Sequence, residues 1–132
     1  MQIPAGLKAK DINGYSDEAQ ERKDRFHADG KKFLRALAKE LGVDGACDIS
    51  SNKAGIAVSG EVMLHADHLY VQLFDDRDGV RILYRDCKHR KDHTGGQNRY
   101  VTIRQMLENS QLKDHFIATC KKLIASHASI PA

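Results

Sequence analysis

The stretch Leu69-Tyr70-Val71-Gln72-Leu73-Phe74-Asp75-Asp76-Arg77-Asp78-Gly79-Val80-Arg81-Ile82-Leu83-Tyr84 decides the fold. Leu69, Val71 and Leu73 alternate with Tyr70, Gln72 and Phe74, the period of two that half-buries a strand. Asp75 to Gly79 concentrates turn-forming residues. Val80, Ile82 and Tyr84 then line one side of a second strand. The link is too short for a crossover, so the two strands must run antiparallel.

Toward the N-terminus the same period continues. Ile56, Val58, Val62 and Leu64 alternate with Ala57, Ser59, Glu61 and Met63, which predicts a strand with a bulge or bend at Gly60. Ala66-Asp67-His68 reads as a turn, and Cys47 with Ile49 suggests a short strand ended by Ser50-Ser51-Asn52-Lys53. Further upstream the period lengthens. Phe26, Phe33, Leu34, Leu37, Ala38 and Leu41 form one helical stripe, opened by Ser16 before Asp17-Glu18 and closed by Gly42. Gly30 interrupts that helix at a cost of about 1 kcal/mol relative to alanine and marks a close approach or a kink.

Toward the C-terminus, Thr102 and Gln105 fit a capping box opening a short helix with Ile103, Met106 and Leu107, closed near Asn109. Ser110 reads as the cap of a last helix with the stripe Leu112, Phe116, Cys120, Leu123 and Ile124. The expectation is an α+β fold: an antiparallel meander of three to four strands, with a long N-terminal helix and two C-terminal helices on one face. Residues 1–15 read as a loose arm, 16–128 as one domain and 129–132 as a frayed tail. The order of helix, strands and helix is shared with double-stranded RNA-binding domains. Their Lys-rich start of the last helix is missing here, where the sequence is Gln111-Leu112-Lys113-Asp114. Order alone carries no function.

Bulk composition narrows the classes. The chain is 132 residues long, 41% hydrophobic and 30% charged, which is globular composition. It contains no apolar run of about 18 residues, so no membrane span is expected. Its first residues lack a continuous apolar stretch, so no secretory signal is read there. Cys47, Cys87 and Cys120 are too few and too odd in number for a disulfide framework. Together these features point to the cytoplasm.

Function is expected between Arg85 and Arg99. These residues hold five Lys or Arg and two Asp, while the rest of the chain is electrically balanced against a net charge of +3. Arg85, Lys88, Arg90, Lys91 and Arg99 suit phosphate, Thr94, Gly95 and Gly96 offer a close backbone approach, and Gln97 and Asn98 can meet base edges. Tyr84 and Tyr100 flank the loop where a base can stack. The leading expectation is therefore a non-catalytic binding domain for nucleic acid or an acidic protein, without a cofactor. The alternative is a protein-interaction or homodimerisation module using the sheet face around Tyr70, Gln72 and Phe74, or an edge. A small metal-dependent or thiol enzyme comes third. Its zinc would need His65, Cys87, His89 and His93 to converge, and its nucleophile would be Cys87, activated by basic neighbours. The acids of the turn at 75–79 are explained by turn chemistry alone.

Overall fold

The computed structural model describes residues 1–76, 78–93 and 96–128, the side chains of His127 and Ala128 excepted. The tail 129–132 lies outside these residues. The order is a 3-10 turn (Ala5–Lys8), α1 (Asp17–Leu41), β1 (Cys47–Asn52), β2 (Glu61–Ala66), β3 (Leu69–Asp75), β4 (Val80–Arg85), β5 (Arg99–Thr102), α2 (Ile103–Glu108) and α3 (Ser110–Ala128). The strands form one antiparallel sheet in the order β1-β2-β3-β4-β5. The sheet thus has five strands rather than three to four. The uncounted one, Arg99–Thr102, is four residues long, too short for its alternation to stand out beside the charged stretch.

Period-two alternation sorts side chains onto two faces. Val62, Leu73, Ile82 and Val101 lie in one register row, and Leu64, Val71 and Tyr84 in the next. All are buried beneath the helices, with Phe26, Phe33, Leu34 and Leu37 of α1 and Phe116 and Cys120 of α3. Tyr84 and Phe116 meet edge to face at 5.0 Å. Gly30 marks a close approach: a Cβ there would stand 2.9 Å from Val62 Cγ2. Ser16 caps α1 through Ala19 N–H at 3.1 Å, Gly42 ends it at φ 72°, and Thr102 with Gln105 completes the capping box of α2.

Three local expectations change. The strand expected from Ile56 begins only at Glu61, and Ile56 and Val58 are exposed. Gly60 sits at φ 67°, with no room for a Cβ against Asn52 O and Lys53, so extended backbone cannot run through it. The preceding segment is instead held to α1 by Lys23 Nζ on Gly55 O (2.9 Å), Gln20 on Ile56 O (2.7 Å) and His27 on Ser59 O (2.7 Å). Asn109, not Ser110, caps α3: its Oδ1 accepts from Gln111 N–H at 3.0 Å. Residues 1–15, expected as a loose arm, send Leu7 and Ile12 into the core and tie Gly6 N–H to Asp29 Oδ2 at 2.7 Å. Irregular backbone has no period, so these two anchors give no pattern to read. Among the described residues no helix is long and apolar enough to cross a membrane.

Candidate functional site

The helices take one face of the sheet and leave the other to smaller neighbours. That second face carries three register rows. One holds Glu61, Phe74, Arg81 and Thr102, the next Met63, Gln72, Leu83 and Tyr100, the third His65, Tyr70 and Arg85. Met63, Phe74 and Leu83 are half-buried, and Tyr100 is 47% exposed. Two arginines lie on tyrosine rings. The guanidinium carbon of Arg81 stands 4.3 Å from the Tyr100 ring centre and that of Arg85 4.8 Å from Tyr70. Both follow from β4 parity: Arg81, Leu83 and Arg85 point away from Val80, Ile82 and Tyr84. Arg81 also donates to Asp76 Oδ2 at 2.8 Å, and Tyr70 O–H donates to Gln72 Oε1 at 2.8 Å.

The loop between β4 and β5 lies across the end of this face. Arg90 N–H donates to Asp67 Oδ1 (3.1 Å) in the β2–β3 turn, and the Arg90 guanidinium is 3.9 Å from Asp48 of β1. Lys88 N–H donates to Asp92 Oδ2 (2.9 Å) and Lys91 N–H to His89 Nδ1 (3.2 Å). The His93 ring stands edge-on to His65 at 5.1 Å. Gly96, at φ 79°, closes the loop against Asp86, where a Cβ would come 2.2 Å from the Asp86 carbonyl oxygen. The loop is a ledge fastened by carboxylates.

The cations expected to act together are dispersed. Arg85 is buried on the second face, whereas Arg99 of β5 pairs with Tyr84 of β4 and turns to the helix side, donating to Gln97 O at 3.2 Å. Arg90 is drawn toward Asp48. Lys88 and Lys91 are exposed and form no ion pair among the described residues. Gly96, Gln97 and Asn98 are exposed; Thr94 and Gly95 lie outside the described residues. The Lys88, Arg90 and Lys91 N–H groups are taken by Asp92, Asp67 and His89. Tyr84 belongs to the core and not to the loop's flank.

Of the metal and thiol candidates, His65 and His93 meet ring to ring, while the Cys87 thiol is turned to a backbone carbonyl. Cys87 is buried, with Sγ directed to Ala66 O at 3.4 Å, while His89 and His93 are exposed. Among the described residues no three His, Cys, Asp or Glu side chains are grouped to hold a metal ion. Burial pushes the Cys87 thiol up, and nearby Asp92 adds to it, so basic neighbours do not activate it as expected. Burial likewise raises Cys47 and drives Cys120 up to about 12. His65 is held below its ordinary value by burial first, then by the charges of His93 and Arg85.

Sequence reasoning missed Arg81, and it missed a groove of about 490 Å³ beside β5. The groove is bounded by residues 7–10, the β3–β4 turn and the start of α2. The parity of β4 was the available signal for Arg81; nothing in the sequence signalled the groove. No family model matches this chain, and no curated protein or solved structure does either.

Proposed function

We propose that the protein is a non-catalytic domain that binds single-stranded nucleic acid across the helix-free face of its sheet. Bases stack on Tyr100 and Phe74, Arg81 meets the backbone, and Lys88 and Lys91 on the ledge supply long-range attraction. The observation that carries this is the pairing of Arg81 with Tyr100 on the face of the sheet opposite the residues buried beneath the helices. Aromatic rings accept any base, and arginine can serve a ring and a phosphate together. Single strands suit such a face because unstacked bases can lie flat on it, which a duplex cannot do. The dispersal of the loop cations moves the centre of binding from the loop to the sheet.

The test is anisotropy of a labelled single-stranded oligonucleotide over a range of salt. Affinity should fall with salt, and Lys88→Ala with Lys91→Ala should reduce the slope of log K against log salt by about 1.4, at about 0.7 per lost phosphate contact. Tyr100→Ala should weaken binding by about 1–3 kcal/mol with little change in slope. Binding that ignores both changes would refute the proposal.

A second reading is favoured by Met63, Leu83 and Phe74, which make the middle of the face apolar. On that reading the face docks a second copy of the chain. Salt-insensitive self-association, lost in Leu83→Glu, would decide for it.

A further inference from the structure

We infer that the groove beside β5 is a site for a nucleoside phosphate. Its volume of about 490 Å³ falls within the roughly 300–1,000 Å³ of small-molecule sites. Val80, Val101, Leu107 and Tyr100 are among the residues that line it. Four cations reach it, Lys8, Lys10, Arg81 and Arg104, against the carboxylates of Asp76 and Asp78. Arg81 already answers Asp76, and Arg104 answers Glu108 at 3.0 Å. Lys8 and Lys10 are exposed and form no ion pair among the described residues, so the residual field at the groove is positive.

An apolar lining, one aromatic wall and two uncommitted lysines together select a ligand with a flat body and a compact anionic end. The base stacks on Tyr100 and the phosphate is drawn to Lys8 and Lys10, whose ammonium groups act as point charges for it. The segment that bears the lysines is fixed in place. Leu7 and Ile12 on either side of it are buried, and Gly6 is bonded to Asp29. The lysines are therefore presented by an anchored rim, and less ordering is required when the ligand arrives.

The groove shares Arg81 and Tyr100 with the sheet face, but the inference does not depend on the face binding a polymer. The experiment is calorimetric titration of the whole chain with adenosine 5′-monophosphate, with adenosine and inorganic phosphate titrated separately. The mononucleotide should bind at least about tenfold tighter than either fragment, since both halves of the site are used. Lys8→Ala with Lys10→Ala should cost the mononucleotide at least about tenfold while leaving adenosine unchanged. Thermal melting checks that this variant folds, and both lysines are exposed. Lys88→Ala with Lys91→Ala should leave mononucleotide affinity intact, though it lowers the oligonucleotide salt slope, so the two proposals fail independently. Undetectable mononucleotide binding, binding indifferent to Lys8 and Lys10, or binding lost through Lys88 and Lys91 would overturn the inference.

Discussion

Gly96→Ala asks whether the loop over the sheet is a fixed ledge. Gly96 has φ 79°, where an L residue costs about 1–2 kcal/mol. The new Cβ would also fall 2.2 Å from the Asp86 carbonyl oxygen and 2.8 Å from Asp86 Oδ1. The nearer atom is backbone, so no side-chain rotation relieves the clash. Overpacking of this kind adds about 1–3 kcal/mol. The closed loop should therefore be disfavoured by about 2–5 kcal/mol in total, enough to open it in most molecules while the sheet beneath survives. Three readouts follow. The Lys88, Arg90 and Lys91 amides, now engaged by Asp92, Asp67 and His89, should lose hydrogen-exchange protection. His65 should titrate closer to its ordinary value, because its burial, the main cause of the depression, is lifted along with contact to His93. The global urea midpoint should move little. Gly45→Ala is the control, since a Cβ there meets nothing within 4 Å. Unchanged amide protection and an unchanged His65 titration would refute the closure against Asp86.

Other outcomes follow from the packing. Gly30→Ala gains about 1 kcal/mol of helix propensity, but its Cβ at 2.9 Å and 3.2 Å from Val62 side-chain atoms costs about 1–3 kcal/mol. The urea midpoint should fall, and a rise would mean that α1 stands farther from the sheet. Asn109→Ala should destabilise by about 1 kcal/mol with the loss of the α3 cap, while Ser110→Ala should be near neutral. His27 and His65 are both held below 6.5 by burial, so the unfolded chain takes up protons first as pH falls. Their contribution is fully present above about pH 6.5 and is lost progressively below it; urea midpoints between pH 5 and 8 should decline on the acid side, less so in His27→Gln with His65→Gln.

Much of the scaffold was legible because it rests on local rules. Ser16, Gly42, Thr102 and Gln105 each act within a few residues of their own positions, and each does what its type predicts. The alternation from Leu69 to Tyr84 gave two strands and their face assignment. Ile56 and Val58 imitate that alternation, but a tertiary constraint at Gly60 overrides it. The site was less legible for a different reason. Charge in sequence has no direction. Arg85 and Arg99 flank the same loop, yet strand parity and the β4–β5 register send them to opposite faces of the sheet. Asp48 and Asp67 are distant in sequence, and only the meander brings them to the ledge.

Arg81 stands where the fold and the proposed chemistry meet, and its present partner sets a final expectation. The guanidinium is bonded to Asp76 and stacked on Tyr100, with both members of the ion pair substantially exposed. Such a pair contributes about 0–1 kcal/mol to stability, so removing it leaves the fold intact. For a phosphate, however, Asp76 is a competitor already in place: binding exchanges one anion for another at the same cation. Asp76→Asn removes the competing charge but keeps the side chain's size, and Tyr100 still steadies Arg81 from its ring face. Oligonucleotide affinity should therefore rise, and the salt slope should steepen by about 0.7 as Arg81 gains a full phosphate contact. Arg81→Ala should abolish the gain and place the single and double variants at the same lower affinity. If Asp76→Asn leaves affinity and slope where they were, Arg81 is a structural brace of the β3–β4 turn, and the sheet face takes something other than a polyanion.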